Sequence, residues 1–110
     1  MDIEMARADQ FPVSFKIKNK NDNTYITEVD DMYITFRKKP YETSPILFQK
    51  TLDDITFDPE TNKWRFLIRK EDTKDLPYGK YGYDIEITKG ELIKTKTGTL
   101  TITDEYTMEE

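Results

Sequence analysis

The 110-residue chain contains no cysteine and no histidine. Without cysteine it has neither a disulfide framework nor a thiolate for catalysis or metal binding. Without histidine it lacks the side chain that most often moves protons near neutral pH. Paired carboxylates would be the remaining route to acid–base chemistry. Such acids lie at the expected strand ends, where carboxylates are usually solvated, so we expect no enzyme and no cofactor. The candidate acids are Asp53, Asp54, Asp58, Glu28, Asp30 and Asp31.

Long apolar runs and an excess of basic residues are also missing. No apolar run approaches the roughly 20 residues of a membrane-spanning helix, and residues 1–10 lack the basic start and apolar run of a secretory signal. Lysine and arginine number 17 against 22 acidic residues, a net charge of −5. That balance argues against a nucleic-acid partner. We expect no nucleic acid, membrane or small-molecule substrate as a partner, and synthesis in the cytoplasm.

Period-two alternation of apolar and polar residues recurs along the chain and predicts short β-strands. The turn-forming segment Asp58–Lys63 and the pair Lys89–Gly90, which predicts a tight hairpin, lie between such runs. The best helical candidate is one turn within Lys70–Pro77. The alternating runs are MDIEM, FPVSFKI, MYITFR, ILFQKT, WRFLIR, YGYDIEI and GTLTIT, and ELIKTKT follows the hairpin.

About seven half-buried strands predict two packed antiparallel sheets in an immunoglobulin-like β-sandwich, with a small β-barrel as the alternative. The absence of repeats and linkers predicts one domain over residues 1–110, with the acidic segment 104–110 loosely held. Nine residues are predicted to share one core between the sheets: Phe15, Ile34, Phe36, Trp64, Phe66, Ile68, Tyr83, Ile85 and Leu100.

The segment DLPYGKYGYDIEI, which starts at Asp75, predicts an ordered turn directly before a strand. Leu76 is expected to fill the bottom of the core, and Pro77 and Gly79 to make the turn. Tyr81 and Tyr83 then begin the inward face of the strand. One of them, with Tyr81 favoured, is expected to return its hydroxyl to the preceding backbone as a tyrosine corner. The alternative is that both are simply core aromatics.

Several segments in order along the chain resemble a family of phage and prophage structural domains found at the start of upper baseplate (tail) proteins. They are Arg7–Gln10, MYITFRK at residues 32–38, EDTKDLPYGKYGYDIEI at residues 71–87 and GTLTI at residues 98–102. The chain departs from that pattern at Ala8, where the family's first turn usually has glycine.

This resemblance implies an immunoglobulin-like sandwich that acts in a virion, without catalysis, through protein–protein assembly. It implies other virion proteins as partners, with self-association as a further option, and a protein made in the bacterial host cytoplasm. Which virion component it would be, in tail, baseplate or head, stays open. The alternative function is a carbohydrate-binding or adhesion module that uses exposed tyrosines, and the five outside the predicted inward faces are Tyr25, Tyr33, Tyr41, Tyr78 and Tyr106.

Contact with partners is expected at exposed strand edges and at the loop Lys38–Ile46. Tyr41 is its predicted anchor, with Tyr78 and Tyr25 as further candidate contacts, since tyrosine is enriched at interfaces. The isolated domain is expected to be monomeric or weakly associating. A calcium loop starting at Asn19 is the weaker interpretation of the polar segment there, because its sixth position is Thr24 and not glycine.

Overall fold

A computed structural model describes residues 2–19, 22–39 and 44–103 of the chain. These residues form eight strands, a 3-10 segment at Leu52–Asp54 and one helical turn, α1, at Lys70–Thr73. The strands are β1 (Asp2–Ala6), β2 (Phe11–Phe15), β3 (Asp31–Arg37), β4 (Ile46–Thr51), β5 (Thr56–Asp58), β6 (Lys63–Ile68), β7 (Gly79–Lys89) and β8 (Leu92–Thr103).

The strands form two sheets, one in the order β1-β8-β7-β3-β4 and one in the order β2-β6-β5. The predicted all-β sandwich is therefore confirmed. Four strands of the larger sheet, β8-β7-β3-β4, and the three of the smaller sheet follow the strand orders found in immunoglobulin-like sandwiches. The chain crosses from one sheet to the other after β1, β2, β4 and β6, and it stays within one sheet between β3 and β4, β5 and β6, and β7 and β8.

The first strand departs from the predicted antiparallel arrangement. β1 pairs with β8 in parallel, with Asp2 opposite Thr99 and Ala6 opposite Thr103. After β1 the chain turns through Ala8 and enters the other sheet as β2, so β1 has no hairpin partner next to it in sequence. Alternation identifies the two faces of a strand but not the direction of its neighbour, so it does not specify this parallel pair.

The described residues contain eight strands, against a prediction of about seven. The three-residue strand β5 was not predicted, and ELIKTKT and GTLTIT form one continuous strand, β8, of 12 residues. The predicted hairpin after β7 is confirmed, because Lys89 pairs with Leu92 and Gly90 has a φ of 60°. The turn before β6 places Asn62 in the same left-handed region, with a φ of 58°.

One contiguous core lies between the sheets. Of the nine predicted core residues, seven are buried, while Phe15 and Ile85 are partly buried and pack against the rest. Phe66 of β6 and Phe36 of β3 meet across the sandwich with ring centroids 6.4 Å apart. Trp64 donates its indole N–H to the carbonyl of Ile26 at 3.1 Å, so this large ring is buried with its polar atom satisfied.

The helical turn α1 ties three parts of the chain together at one end of the sandwich. Lys50 of β4 places its Nζ 2.7 Å from Oδ2 of Asp72, and that oxygen also accepts the backbone N–H of Arg69 at 2.8 Å. Thr73, fully buried, accepts the backbone N–H of Ala8 at 2.9 Å. In the described part of the chain, no helix is both long and apolar enough to cross a membrane.

Candidate interaction sites

The predicted corner residues lie together at the start of β7. The Tyr81 hydroxyl donates to the backbone carbonyl of Pro77, which is the hydrogen bond of a tyrosine corner. Gly79 has a φ of 140°, a conformation in which a side chain would be strained, and Leu76 packs against the core. Tyr83 is only 1% exposed, and its ring centroid lies 5.2 Å from that of Phe36. These contacts hold the chain in place at the start of β7.

Two of the predicted contact tyrosines are exposed, but each already has a cationic side chain placed over its ring. Tyr78 is 49% exposed, and the Arg7 guanidinium lies 4.3 Å from its ring centroid and donates to its hydroxyl at 3.0 Å. Tyr25 is 39% exposed, with the ammonium groups of Lys16 and Lys18 at 5.1 and 5.7 Å from the ring centroid. Tyr41 and Tyr106 lie outside the described residues.

One edge of the larger sheet is only partly covered. β1 pairs with residues 99–103 of β8, whereas the described residues provide no strand beside residues 92–98 on that side. A seven-residue stretch of strand extends about 23 Å. Its outward-pointing N–H and C=O groups have no ladder partner among the described strands, so the stretch can accept an added strand.

An apolar cleft of about 730 Å³ lies beside this uncovered edge. It separates residues 94–96 of β8 from the segment that continues β2, residues 15–19. β2 is also the edge strand of its own sheet, so the described residues leave the sandwich open on this side between the two sheets. The apolar side chains that line the cleft are Phe15, Ile17, Ile26, Ile85 and Ile87.

Lysines surround the mouth of the cleft. Lys94 and Lys96 stand opposite Ile87 and Ile85 in the β7–β8 ladder, and Lys16 and Lys18 lie on the facing segment. Within the described residues, none of the four takes part in an ion pair. Lys94 and Lys96 share the inward face of β8 with the apolar floor, while the ammonium groups of Lys16 and Lys18 lie over the Tyr25 ring. An apolar floor bordered by lysines fits an extended segment that has alternate apolar side chains and flanking carboxylates.

A second candidate surface is the outer face of the larger sheet, where a shallow hollow of about 540 Å³ is lined by polar side chains. Tyr33 is 36% exposed there, and its hydroxyl donates to Asp31 at 2.8 Å, which raises the pKa of the phenol. The Arg37 Nε and a carboxylate oxygen of Asp84 lie 3.9 Å apart. The remaining lining residues are Thr35, Gln49, Glu86, Thr95 and Thr97.

Among the six acidic residues considered for catalysis or metal binding, Asp54, Asp58 and Asp30 accept backbone N–H groups in caps, turns and loops. Asp54 accepts the backbone N–H of Thr51 at 3.0 Å, and Asp58 accepts that of Glu60 at 3.0 Å, which lowers the pKa of Asp58. Asp30 accepts the N–H of Gly90 at 2.6 Å and so ties its loop to the β7–β8 hairpin. Across the described ranges, no three His, Cys, Asp or Glu side chains group as a metal ion would require.

Sequence reasoning did not identify the cleft, although one signal for it was present. In TKTGTLTIT, Lys96 is in phase with Leu100 and Ile102, so a charged residue occupies the inward face of the strand. Lys94, two residues earlier, also lies on the inward face of the strand. Where the inward-facing residues of a strand change from apolar side chains to lysine, the strand extends beyond the core. The uncovered edge itself depends on where β1 pairs, which alternation does not specify.

No family model matches this chain, and no curated protein sequence matches it. A solved structure of a family 123 glycoside hydrolase from Clostridium perfringens, described for glycolipid glycan hydrolysis, aligns with 94% of this chain at 15% identity and a TM-score of 0.42. The chain spans 23% of that enzyme's length, and a likeness at this level bears on neither activity nor partner.

Proposed function

We propose that this chain is a non-enzymatic structural protein of a phage or prophage virion, and that it works by accepting a strand from a neighbouring protein. The observation that carries the assembly role is the uncovered edge of β8 at residues 92–98 beside an apolar, lysine-surrounded cleft. The resemblance of residues 71–87 to tail-protein domains supports the virion setting. An added strand would gain backbone hydrogen bonds from the edge and side-chain burial from the cleft.

The cleft also explains why the domain would act in an assembly and not alone. Ile85 and Phe15 are only partly buried in the isolated chain, although they belong to the inner faces of the two sheets. Each fully buried aliphatic or aromatic side chain stabilises a protein by about 1.5–3 kcal/mol relative to an exposed one. A strand bound in the cleft would complete the burial of these side chains, so binding and completion of the core would be coupled.

Virion membership is tested in a strain that carries this gene. After prophage induction, purified particles analysed by mass spectrometry are expected to contain the protein at a constant ratio to a major particle protein. An in-frame deletion is expected to lower the infectious titre. Purified particles that lack the protein, together with an unchanged titre after deletion, would contradict the virion proposal.

The role of the cleft is tested by complementing that deletion. Lys94→Glu with Lys96→Glu reverses the charge at the cleft and should prevent recovery of the titre. Lys70→Glu with Lys74→Glu makes the same charge change at exposed positions on and after α1, away from the cleft, and should restore it. Equal recovery by both variants would place the working surface elsewhere.

Carbohydrate binding is the second candidate, and the polar outer face of the larger sheet favours it. Sugar sites combine an aromatic ring with hydroxyl, amide and carboxylate groups that fix orientation. Tyr33, Gln49 and Asp84 meet in the shallow hollow and supply these groups. Among the described residues that line the lysine-rich cleft there is no carboxylate, so we assign the two candidate functions to different faces of the molecule.

Calorimetry against a panel of mono- and oligosaccharides separates the two functions. A sugar site on this face predicts millimolar or tighter binding that Tyr33→Ala abolishes. Tyr78→Ala, a matched change of an exposed tyrosine held by Arg7, should leave that binding unchanged. Absence of heat for every sugar would leave the outer face as an ordinary solvated sheet surface.

A further inference from the structure

We propose that the cleft beside β8 accepts residues 104–110 of a second copy of this chain, so that copies join head to tail. This inference rests on the proposed assembly function and names the partner of the same site. It is carried by the shape and charge of the cleft, by the sequence of the segment that follows β8, and by the geometry that keeps that segment away from its own cleft.

The segment DEYTMEE has the pattern that the cleft requires. Tyr106 and Met108 are two residues apart, so an extended backbone places both on one face. The adjacent strand already shows this arrangement, because β1 buries Ile3 and Met5 at the same spacing beside the covered half of β8. A second segment of this kind beside residues 92–98 would continue the sheet edge where β1 stops.

Charge complements this shape. Four acidic residues flank the apolar pair, and four lysines surround the cleft; the acids are Asp104, Glu105, Glu109 and Glu110. At a partly exposed site such pairing contributes more to partner choice and association rate than to affinity, and salt weakens it. Association through the cleft should therefore be weak and salt-sensitive, in keeping with the weak association expected from the sequence.

The chain's own segment cannot occupy its own cleft. Thr103 ends β8 at the far end from the hairpin, and β1 covers the intervening edge up to Thr99. Gly98, the first uncovered residue, lies five residues back, about 17 Å along the strand. Tyr106 is three residues beyond Thr103 and reaches about 11 Å at full extension. The apolar pair must therefore enter the cleft of another copy.

A contact of this kind uses two different surfaces of each copy. Such heterologous contacts leave one free segment and one free cleft at the ends of every assembly, so growth continues unless the rotation between copies closes a ring. Self-association should accordingly be open-ended, with no preferred dimer at high concentration.

Sedimentation velocity over a range of protein concentrations tests the proposal. The sedimentation coefficient of the wild-type chain should rise with concentration and fall back when salt is raised. Two variants should stay at the monomer value: Tyr106→Ser with Met108→Ser, which lacks the inserted pair, and Lys94→Glu with Lys96→Glu, which has a reversed cleft. The Lys70→Glu, Lys74→Glu control should associate like the wild type, and circular dichroism checks that each variant is folded.

Mixing the two defective variants gives the decisive result. One retains its cleft and the other retains its segment, so an equimolar mixture should form a one-to-one dimer and nothing larger. A mixture that stays monomeric, a wild-type chain that never associates, or a segment variant that associates normally overturns the head-to-tail contact. None of these outcomes changes whether the protein is found in particles, so this inference and the virion proposal fail separately.

A synthetic DEYTMEE peptide supplies a second readout that does not depend on mutant folding. Added to the ¹⁵N-labelled chain, it should shift the amide resonances of residues 92–98 and 15–19 in NMR spectra. A peptide with the same composition and scrambled order, in which Tyr and Met are adjacent, should shift them less. Equal shifts with both peptides would indicate charge attraction alone and overturn insertion of Tyr106 and Met108.

Discussion

A single residue, Ala8, adopts a backbone conformation that suits glycine. Its φ is 61°, and its N–H donates to the buried hydroxyl of Thr73. The left-handed region costs a residue with a Cβ about 1–2 kcal/mol. The resemblance to tail-protein domains had marked this position, because glycine is usual there. The turn thus keeps its conformation while carrying the less suitable residue, and the hydrogen bond to Thr73 helps to hold it.

Ala8→Gly should therefore raise the free energy of unfolding by about 0.5–1 kcal/mol. Relief of the left-handed strain exceeds the extra entropy that glycine gives the unfolded chain, which is about 0.4–1 kcal/mol. Urea denaturation followed by the fluorescence of Trp64 measures the difference. Ala6→Gly, placed at the end of β1, is the control and should lower stability. A less stable Ala8→Gly protein would show that the turn does not carry this strain.

Burial of Tyr83 makes the stability of the fold depend on alkaline pH. Loss of solvation, with the nearby Asp2 carboxylate as a smaller cause, raises the pKa of Tyr83 to about 12 from an ordinary value of 10.0. The folded state therefore holds this proton more tightly than the unfolded state. Its contribution is fully present below pH 10 and is lost as the pH rises towards 12.

The expected loss between these pH values is about 2–3 kcal/mol, since one pKa unit corresponds to about 1.4 kcal/mol. Urea denaturation at pH 8 and at about pH 11.5 should show this fall in the wild type. Tyr83→Phe removes the ionising group and should reduce the fall, although other tyrosines still titrate. An identical pH dependence in both proteins would mean that Tyr83 ionises as easily when folded as when unfolded.

At the scale of the element, β6 is the strand on which the register can best be tested. Phe66 is buried and contacts Phe15 within its own sheet, with centroids 6.2 Å apart, and Phe36 across the sandwich. Phe66→Ala should lower the free energy of unfolding by about 3–5 kcal/mol, because it removes buried area and leaves a cavity. Leu67→Ala, at the alternate position on the same strand, is the matched control and should cost less. A loss below about 1 kcal/mol for Phe66→Ala would contradict the register.

The elements themselves were largely predictable from the sequence, for a physical reason. Inward and outward residues alternate along a half-buried strand, so β3, β6 and β7 could be located with their faces correct. Turn residues with special backbone conformations, such as Gly90 and Asn62, marked the hairpins. The short helical turn α1 also fell within the predicted segment. Each of these features depends on a few neighbouring residues.

Features set by distant contacts were not predictable in the same way. The parallel pairing of β1 with β8 joins residues nearly a full chain length apart, and no local pattern encodes it. The uncovered edge at residues 92–98 and the cleft follow from that pairing. Among the predicted contact residues, Tyr25 lies near the cleft lysines, whereas Tyr78 lies against Arg7. The candidate site thus results from how the strands pair, and the only sequence signal for it is the placement of Lys94 and Lys96 on the inward face of β8.

For the molecule as a whole, one core predicts one cooperative unfolding transition. The core draws side chains from both sheets and includes residues from Ile3 to Ile102. A protein of this size built around one core is expected to unfold without populated intermediates. Trp64 fluorescence, which reports the core, and far-ultraviolet circular dichroism, which reports the strands, should give coincident urea transitions. Two separated transitions would show that the two sheets unfold independently.

The parallel pairing of β1 with β8 has a mechanical consequence. Tension applied at Asp2 and at Thr103 would pull these two strands past each other along their length, because the two residues lie at opposite ends of the paired segment. All the hydrogen bonds between the strands would then bear the load together and have to break together. An antiparallel hairpin pulled at its two open ends would instead unzip one bond at a time. The sandwich is thus arranged to resist stretching through its first and last strands.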